Sequence, residues 1–201
     1  MSTHTAVYFE GVRVTKLEES IRAFFADNDP SKELTSSVSS SLPIYGDLFH
    51  FGKLPTAFSF AECPVGWCTA HFNCFSRLTD FANSYSLLLK NRVIVLNMQS
   101  TSCCYYIGVH ESGTLRRAIS VENGDCSLQH GEPFEFEAES RVDGRSRESA
   151  VIQYCHSLGL TITGQACHPP VWHHIRLVDQ PASRTYTATT KSLPWWKWIF
   201  G

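Results

Sequence analysis

Apolar residues recur along this chain in two rhythms, every second residue or every third to fourth, and the changes of rhythm predict its elements. Ala6-Val7-Tyr8-Phe9 and Val12-Arg13-Val14 read as a short strand pair turning near Gly11. Thr15 is a residue type that caps helices. After it, Leu17, Ile21, Phe24 and Phe25 share one helical face, with Glu18 and Glu19 in the first turn, so a helix is expected from Thr15 to about Ala26. Asn28-Asp29-Pro30 stops it, and the serine-rich stretch 36–41 is expected to be a loop. Between 42 and 68 the chain is dense in Pro, Gly and aromatics. The alternations Phe49/Phe51 and Phe58/Phe60 predict short half-buried strands there. The strongest helical period spans 72–90, through Phe75, Leu78, Phe81, Ala82, Tyr85, Leu88 and Leu89.

Val93-Ile94-Val95-Leu96 is a continuous apolar run, the pattern of a strand buried on both faces. Residues 103–110 and 115–122 are rich in β-branched and aromatic types and flank Glu111-Ser112-Gly113, a hairpin turn signal. Phe134-Glu135-Phe136-Glu137 alternates apolar with acidic and is expected to close this meander as an edge strand. A last helix is expected over 146–158, ended by Gly159, followed by loops and short strands through Val178. The pattern predicts an α+β fold: one domain over 1–201, a mostly antiparallel central sheet with its meander at about 93–137, and two or three helices packed on it. Residues 179–201 form a polar, then Trp-rich, tail.

At 201 residues such a domain buries roughly 70% of the surface its unfolded chain exposes, so its core needs no metal or disulfide. A net charge of -2 leaves no broad footprint for nucleic acid or an anionic membrane. The N-terminal residues lack the basic and apolar regions of a secretory signal, which predicts a cytoplasmic protein with its eight cysteines reduced and mostly buried. The uncharged runs 93–110 and 149–175 are interrupted by polar residues or by Gly and Pro, so no transmembrane segment is expected.

Four candidate chemistries stand out. Cys63, Cys68, His71 and Cys74 place four soft or borderline ligands close together, as a metal- or thiol-dependent enzyme would use them. The alternative is cysteine as a small core hydrophobe. His168, His173 and His174 follow Cys167, but His173 and His174 would face opposite ways on a strand. The same alternation applies to Cys103-Cys104, and the chain carries no GxSxG, GxGxxG or P-loop motif. Trp195, Trp196 and Trp198 could make peripheral membrane contact or fold back onto a groove. Glu135, Glu137, Glu139, Arg141, Asp143, Arg145, Arg147 and Glu148 concentrate eight of 36 charged side chains within 14 residues. That stretch suits either a solvated edge or a charged docking surface. Residues 1–149 hold 13 basic and 18 acidic groups, an excess that would favour a basic partner.

The middle of the chain adds a resemblance. Gly66-Trp67, the Phe-rich helix ending Leu87-Leu88-Leu89, Val93 to Gln99, Cys104-Tyr105-Tyr106, Gly113-Thr114-Leu115-Arg116-Arg117 and Gly131-Glu132-Pro133-Phe134-Glu135-Phe136-Glu137 together resemble small cytoplasmic bacterial proteins of the toxin-immunity type. The resemblance covers about residues 66–137 and implies a protein that is not an enzyme and needs no cofactor. It implies a tight heterodimer with a cognate interbacterial toxin, whose active site the chain occludes. The partner-binding residues expected on that reading are Glu135, Glu137, Glu139, Arg141, Asp143, Arg145 and Arg147.

Overall fold

The computed structural model describes residues 3–28, 32–40, 56–63, 66–73, 78–99, 104–123, 125–134, 137, 144–160 and 171–179. Among these residues nine strands form a single sheet: β1 (Thr3–Glu10), β2 (Lys32–Ser39), β3 (Ala57–Cys63), β4 (Trp67–Phe72), β5 (Arg92–Gln99), β6 (Cys104–Glu111), β7 (Thr114–Glu122), β8 (Asp125–His130) and β9 (Trp172–Asp179). Their order is β2-β9-β3-β4-β1-β5-β6-β7-β8, and every ladder is antiparallel. The helices described beside them are α1 (Val14–Asn28), α2 (Leu78–Leu89) and α3 (Gly144–Ser157). The α+β architecture is as expected, with a sheet wider than the meander alone.

Strand alternation sorts the apolar residues into two cores, one on each face. Val7, Phe9, Val93, Val95, Phe58 and Phe60 meet Leu17 and Ile21 of α1 and Leu78, Phe81 and Tyr85 of α2. Ala6, Tyr8, Ile94, Leu96, Ile107 and Ile119 meet Val151, Tyr154 and Cys155 of α3. The uninterrupted run Val93 to Leu96 is thereby explained, since its odd and even members feed different layers. Each fully buried Phe or Leu contributes about 1.5–3 kcal/mol.

Several local expectations are corrected. β1 does not turn back at Gly11. It pairs with β4 and β5, and Gly11, at φ 64°, ends the strand and donates its N–H to Gly66 O. The helix starts at Val14, so Thr15 lies inside its first turn and is not its cap, and the Val14 N–H is taken by the Glu62 carboxylate of β3 (3.3 Å). Lys32–Ser39 is a strand, so Ser36 to Ser39 are not loop; their partner β9 lies 133 or more residues away, beyond any local signal. Residues 67–72 form β4, where Phe72 opposite Phe58 makes an edge contact at 5.0 Å, and α2 begins only at Leu78. The fourth meander strand is Asp125–His130 and not 134–137; Phe134 instead stacks on Tyr154 of α3 at 4.9 Å.

Other expectations hold. Ser112 and Gly113, both at positive φ (50° and 81°), make the two-residue β6–β7 turn. Gly159, at φ 75°, ends α3 with the paired bonds Leu160 N–H to Cys155 O and Gly159 N–H to His156 O. Phe49, Phe51 and the Trp195, Trp196 and Trp198 tail lie outside the described residues.

One buried polar group ties the fold to pH. His110 of β6 has no exposed surface; its Nδ1 lies 3.4 Å from Asn83 Oδ1 of α2, and its Nε2 is buried without a partner among the described residues. Burial lowers its pKa from 6.5 to about 4, against a smaller opposing effect of Asp80. The unfolded chain therefore binds more protons than the native one between those values. The contribution of this group to stability is complete above its unfolded-state value of 6.5 and is lost as pH drops through this window. Urea unfolding at pH 7.5 and 4.5 should show wild type losing roughly 2–3 kcal/mol more than His110→Gln. Equal losses in the two proteins would assign the acid sensitivity elsewhere.

Candidate functional site

The two edges of the sheet carry its polar chemistry. At the β8 edge, all six residues of the strand are exposed, including Leu128 at 45%. Among the described residues no strand pairs with its outer side. One strand inward, Arg117 of β7 is buried on the face that α3 covers. Its guanidinium donates to His130 O (3.0 Å) and Gly131 O (3.1 Å), and to both carboxylate oxygens of Glu137. Glu137 Oε1 also accepts the Phe134 N–H (3.0 Å), while the Glu137 N–H donates to Phe134 O (2.9 Å). The start of the charged stretch is thus pinned between β7, the end of β8 and α3.

Glu137 is consequently engaged in a buried bidentate pair. Arg145 and Arg147 fall within the first four residues of α3. Glu135, Glu139, Arg141 and Asp143 lie outside the described residues.

At the opposite edge, β9 splits the two histidines as alternation requires. His173 stacks on Phe60 at 5.6 Å and approaches Glu18 of α1 (3.8 Å), on the α1 side. His174 points to the other face, within a polar row that crosses four strands. His71 of β4 lies opposite Ser59 of β3, Ser59 opposite His174 of β9, and His174 opposite Ser37 of β2. Both imidazole nitrogens are engaged, Nδ1 with Ser59 Oγ and Nε2 with Ser39 Oγ, each at 2.7 Å. Desolvation, then the charges of Arg176 and His173, hold the His174 pKa below its ordinary value. Ser59 is fully buried, Ser39 is half-buried, and Trp172 closes edge-on to His71 at 5.4 Å. Near the row, Thr69 Oγ1 is buried without a partner among the described residues.

Among the described residues the cysteine cluster is not brought together. Cys68 packs in the core under α1 and α2 and its thiol donates to Ala61 O (3.2 Å), while His71, three residues on, points to the opposite face. Cys63, opposite Trp67, sits at the far end of the hairpin from His71. Burial raises the Cys68 thiol pKa far above its ordinary value and that of Cys155 to about 12, the opposite of what a nucleophile needs. Cys74, Cys103, Cys167 and His168 lie outside the described residues. Among the described residues no three His, Cys, Asp or Glu groups are placed to hold a metal ion, and no helix is long and apolar enough to cross a membrane.

Fold and sites define a class: an α+β protein whose wide antiparallel sheet is covered by helices on both faces and is polar at both edges. Compared with protein-family models, curated proteins and solved structures, the chain matches none.

Sequence reasoning missed Ser39, Ser59 and Arg117. The serines looked like loop or filler, and Arg117 carries no signal that separates it from the exposed Arg116. The test of the Arg117–Glu137 pair is Glu137→Gln, which leaves a buried guanidinium without its counter-charge. It should destabilise the fold by about 3–5 kcal/mol in urea unfolding, whereas replacing both residues with Arg117→Met and Glu137→Leu should cost less. A Glu137→Gln protein as stable as wild type would show the pair to be dispensable.

Proposed function

We propose that this chain is a binding protein of the immunity type, which neutralises a cognate interbacterial toxin by occupying its active site. The supporting observation is the conjunction at the β8 edge. A strand whose side chains are all exposed is followed within a few residues of sequence by the charged stretch, and Glu137 of that stretch is bound to Arg117 one strand inward. An exposed edge offers main-chain donors and acceptors to an added strand of the partner, giving affinity. The acidic excess of residues 1–149 would steer association with a basic substrate cleft. β8 itself carries one charged residue, Asp125, and neither lysine nor proline, the usual protections of an edge.

The test is co-purification of tagged protein with a stoichiometric toxin from its native lysate, followed by assay of that toxin's activity with and without the chain. Wild type should abolish the activity. Ser127→Lys with Leu128→Lys, both at exposed positions, should keep the melting temperature and weaken inhibition at least about tenfold, the effect of some 1.4 kcal/mol. Undiminished toxin activity in the presence of wild type, or full inhibition by the double variant, would defeat the proposal.

A further inference from the structure

At the opposite edge of the sheet from β8, independent of the docking reading, we infer that Ser39, His174 and Ser59 form a serine-nucleophile site for activated acyl esters. Ser39 is the nucleophile, His174 its base, and Ser59 the positioning residue.

Three observations carry this. First, the hydrogen bonds run in series through one imidazole, Ser39 Oγ to Nε2 and Nδ1 to Ser59 Oγ, each at 2.7 Å. A nucleophile, a base and a group that orients the base is the arrangement that activates a hydroxyl. Second, burial separates the two serines in the required sense. Ser59 is completely enclosed, while His174 and Ser39 are both only partly buried, and Ser39 stands on the strand that is outermost among the described residues, so of the two serines Ser39 is the one on the accessible side of the imidazole. Third, the imidazole is rigidly placed. His174 sits on an interior strand flanked by β2 and β3, and it is held at both nitrogens by side chains from those two neighbours. The three residues are brought together by strands 115 and 135 positions apart in the chain, so no local turn or cap accounts for their meeting.

The chemistry balances with the ester and water alone. In the productive tautomer, Nδ1–H donates to Ser59 Oγ and Nε2 is unprotonated. Ser39 Oγ attacks the ester carbonyl carbon as its proton passes to Nε2, a C–O bond forming to Ser39. The bond to the leaving alkoxide breaks, and His174 returns the proton to it, releasing the alcohol. Water then attacks acyl-Ser39 by the same route, its proton moving to Nε2 and on to Ser39 Oγ, and the carboxylic acid departs. The groups that face His174 or set its charge are Arg176 and His173 on β9, with His71 on β4 beyond Ser59. Its lowered pKa leaves the base neutral at pH 7.

The experiment treats intact protein with a fluorophosphonate probe, in which Ser39 displaces fluoride from phosphorus and the proton leaves as HF, with peptide mapping of the product. Wild type should be labelled once, at Ser39, with a rate that rises with pH through a midpoint below 6.5. Ser39→Ala should lose the label, and His174→Gln should slow labelling by about 10²-fold or more. Ser39→Cys should move the covalent capture to a thiol-directed probe, which shows that the position and not only the hydroxyl is activated. Ser59→Ala removes the acceptor that favours the protonated imidazolium, so it should slow labelling and shift the midpoint to lower pH, which a purely structural role would not do. Labelling no faster than that of heat-denatured protein, labelling retained in Ser39→Ala, or a midpoint unmoved in a folded Ser59→Ala protein would overturn the assignment. None of these outcomes bears on β8, so the two proposals fail separately.

Discussion

Val7 and Phe9 point to one side of β1 and Ala6 and Tyr8 to the other, all four at no more than 2% exposure, so the central strand needs a covering layer on each face. The helices answer that need, α1 and α2 on one side and α3 on the other. The paired strands on either side of β1 inherit the requirement, as Val93 to Leu96 of β5 show by dividing between the layers. Charged residues near this region are held in place by pairing. Arg92 meets the Glu10 carboxylate in two bonds (2.7 and 2.9 Å) at the end of the central strands, lies over Trp67, and keeps its charge where β1 gives way to α1.

Because the centre of the sheet is committed to burial, polar chemistry is displaced to its edges. β2 and β8 are the outermost strands and both are polar, yet they differ in kind. β8 lies over no deep layer and keeps every side chain in solvent, which suits a surface that accepts another chain. β2 is bound to an interior strand that carries two histidines, so its serines meet ionisable groups already positioned by the sheet. With strands about 4.8 Å apart, the edges of a nine-stranded sheet stand some 35–40 Å from one another, far beyond direct electrostatic coupling in salt.

The parts of the fold written in local pattern were legible. α1 from Leu17 and Ile21, α3 with its Gly159 stop, the two-faced run at Val93 and the Ser112-Gly113 turn each depend on residues within one or two turns of chain. The misread segments depend on distant partners. Ser36 to Ser39 have no periodicity of their own and become strand only because β9 supplies the ladder. Phe72 has the spacing of the following helix, but pairing with Phe58 draws it into β4. The alternation at 134–137 mimicked an edge strand, while the better clue was the Asn123-Gly124 dipeptide, a hairpin signal that puts the next strand at Asp125.

The same division explains which candidate chemistry survived contact with the structure. Cys63, Cys68 and His71 are near in sequence, and nearness on strands is misleading because residues an odd number apart face opposite layers. Ser39 and His174 are 135 residues apart and meet within 2.7 Å, because antiparallel register delivers residues two positions off the direct pair to the same face. In a sheet this wide, closeness along the chain tends to separate reactive groups, and the joining of distant strands assembles them. A sequence scan weighted by short spacing therefore finds cysteines that serve the core and passes over serines that meet an imidazole.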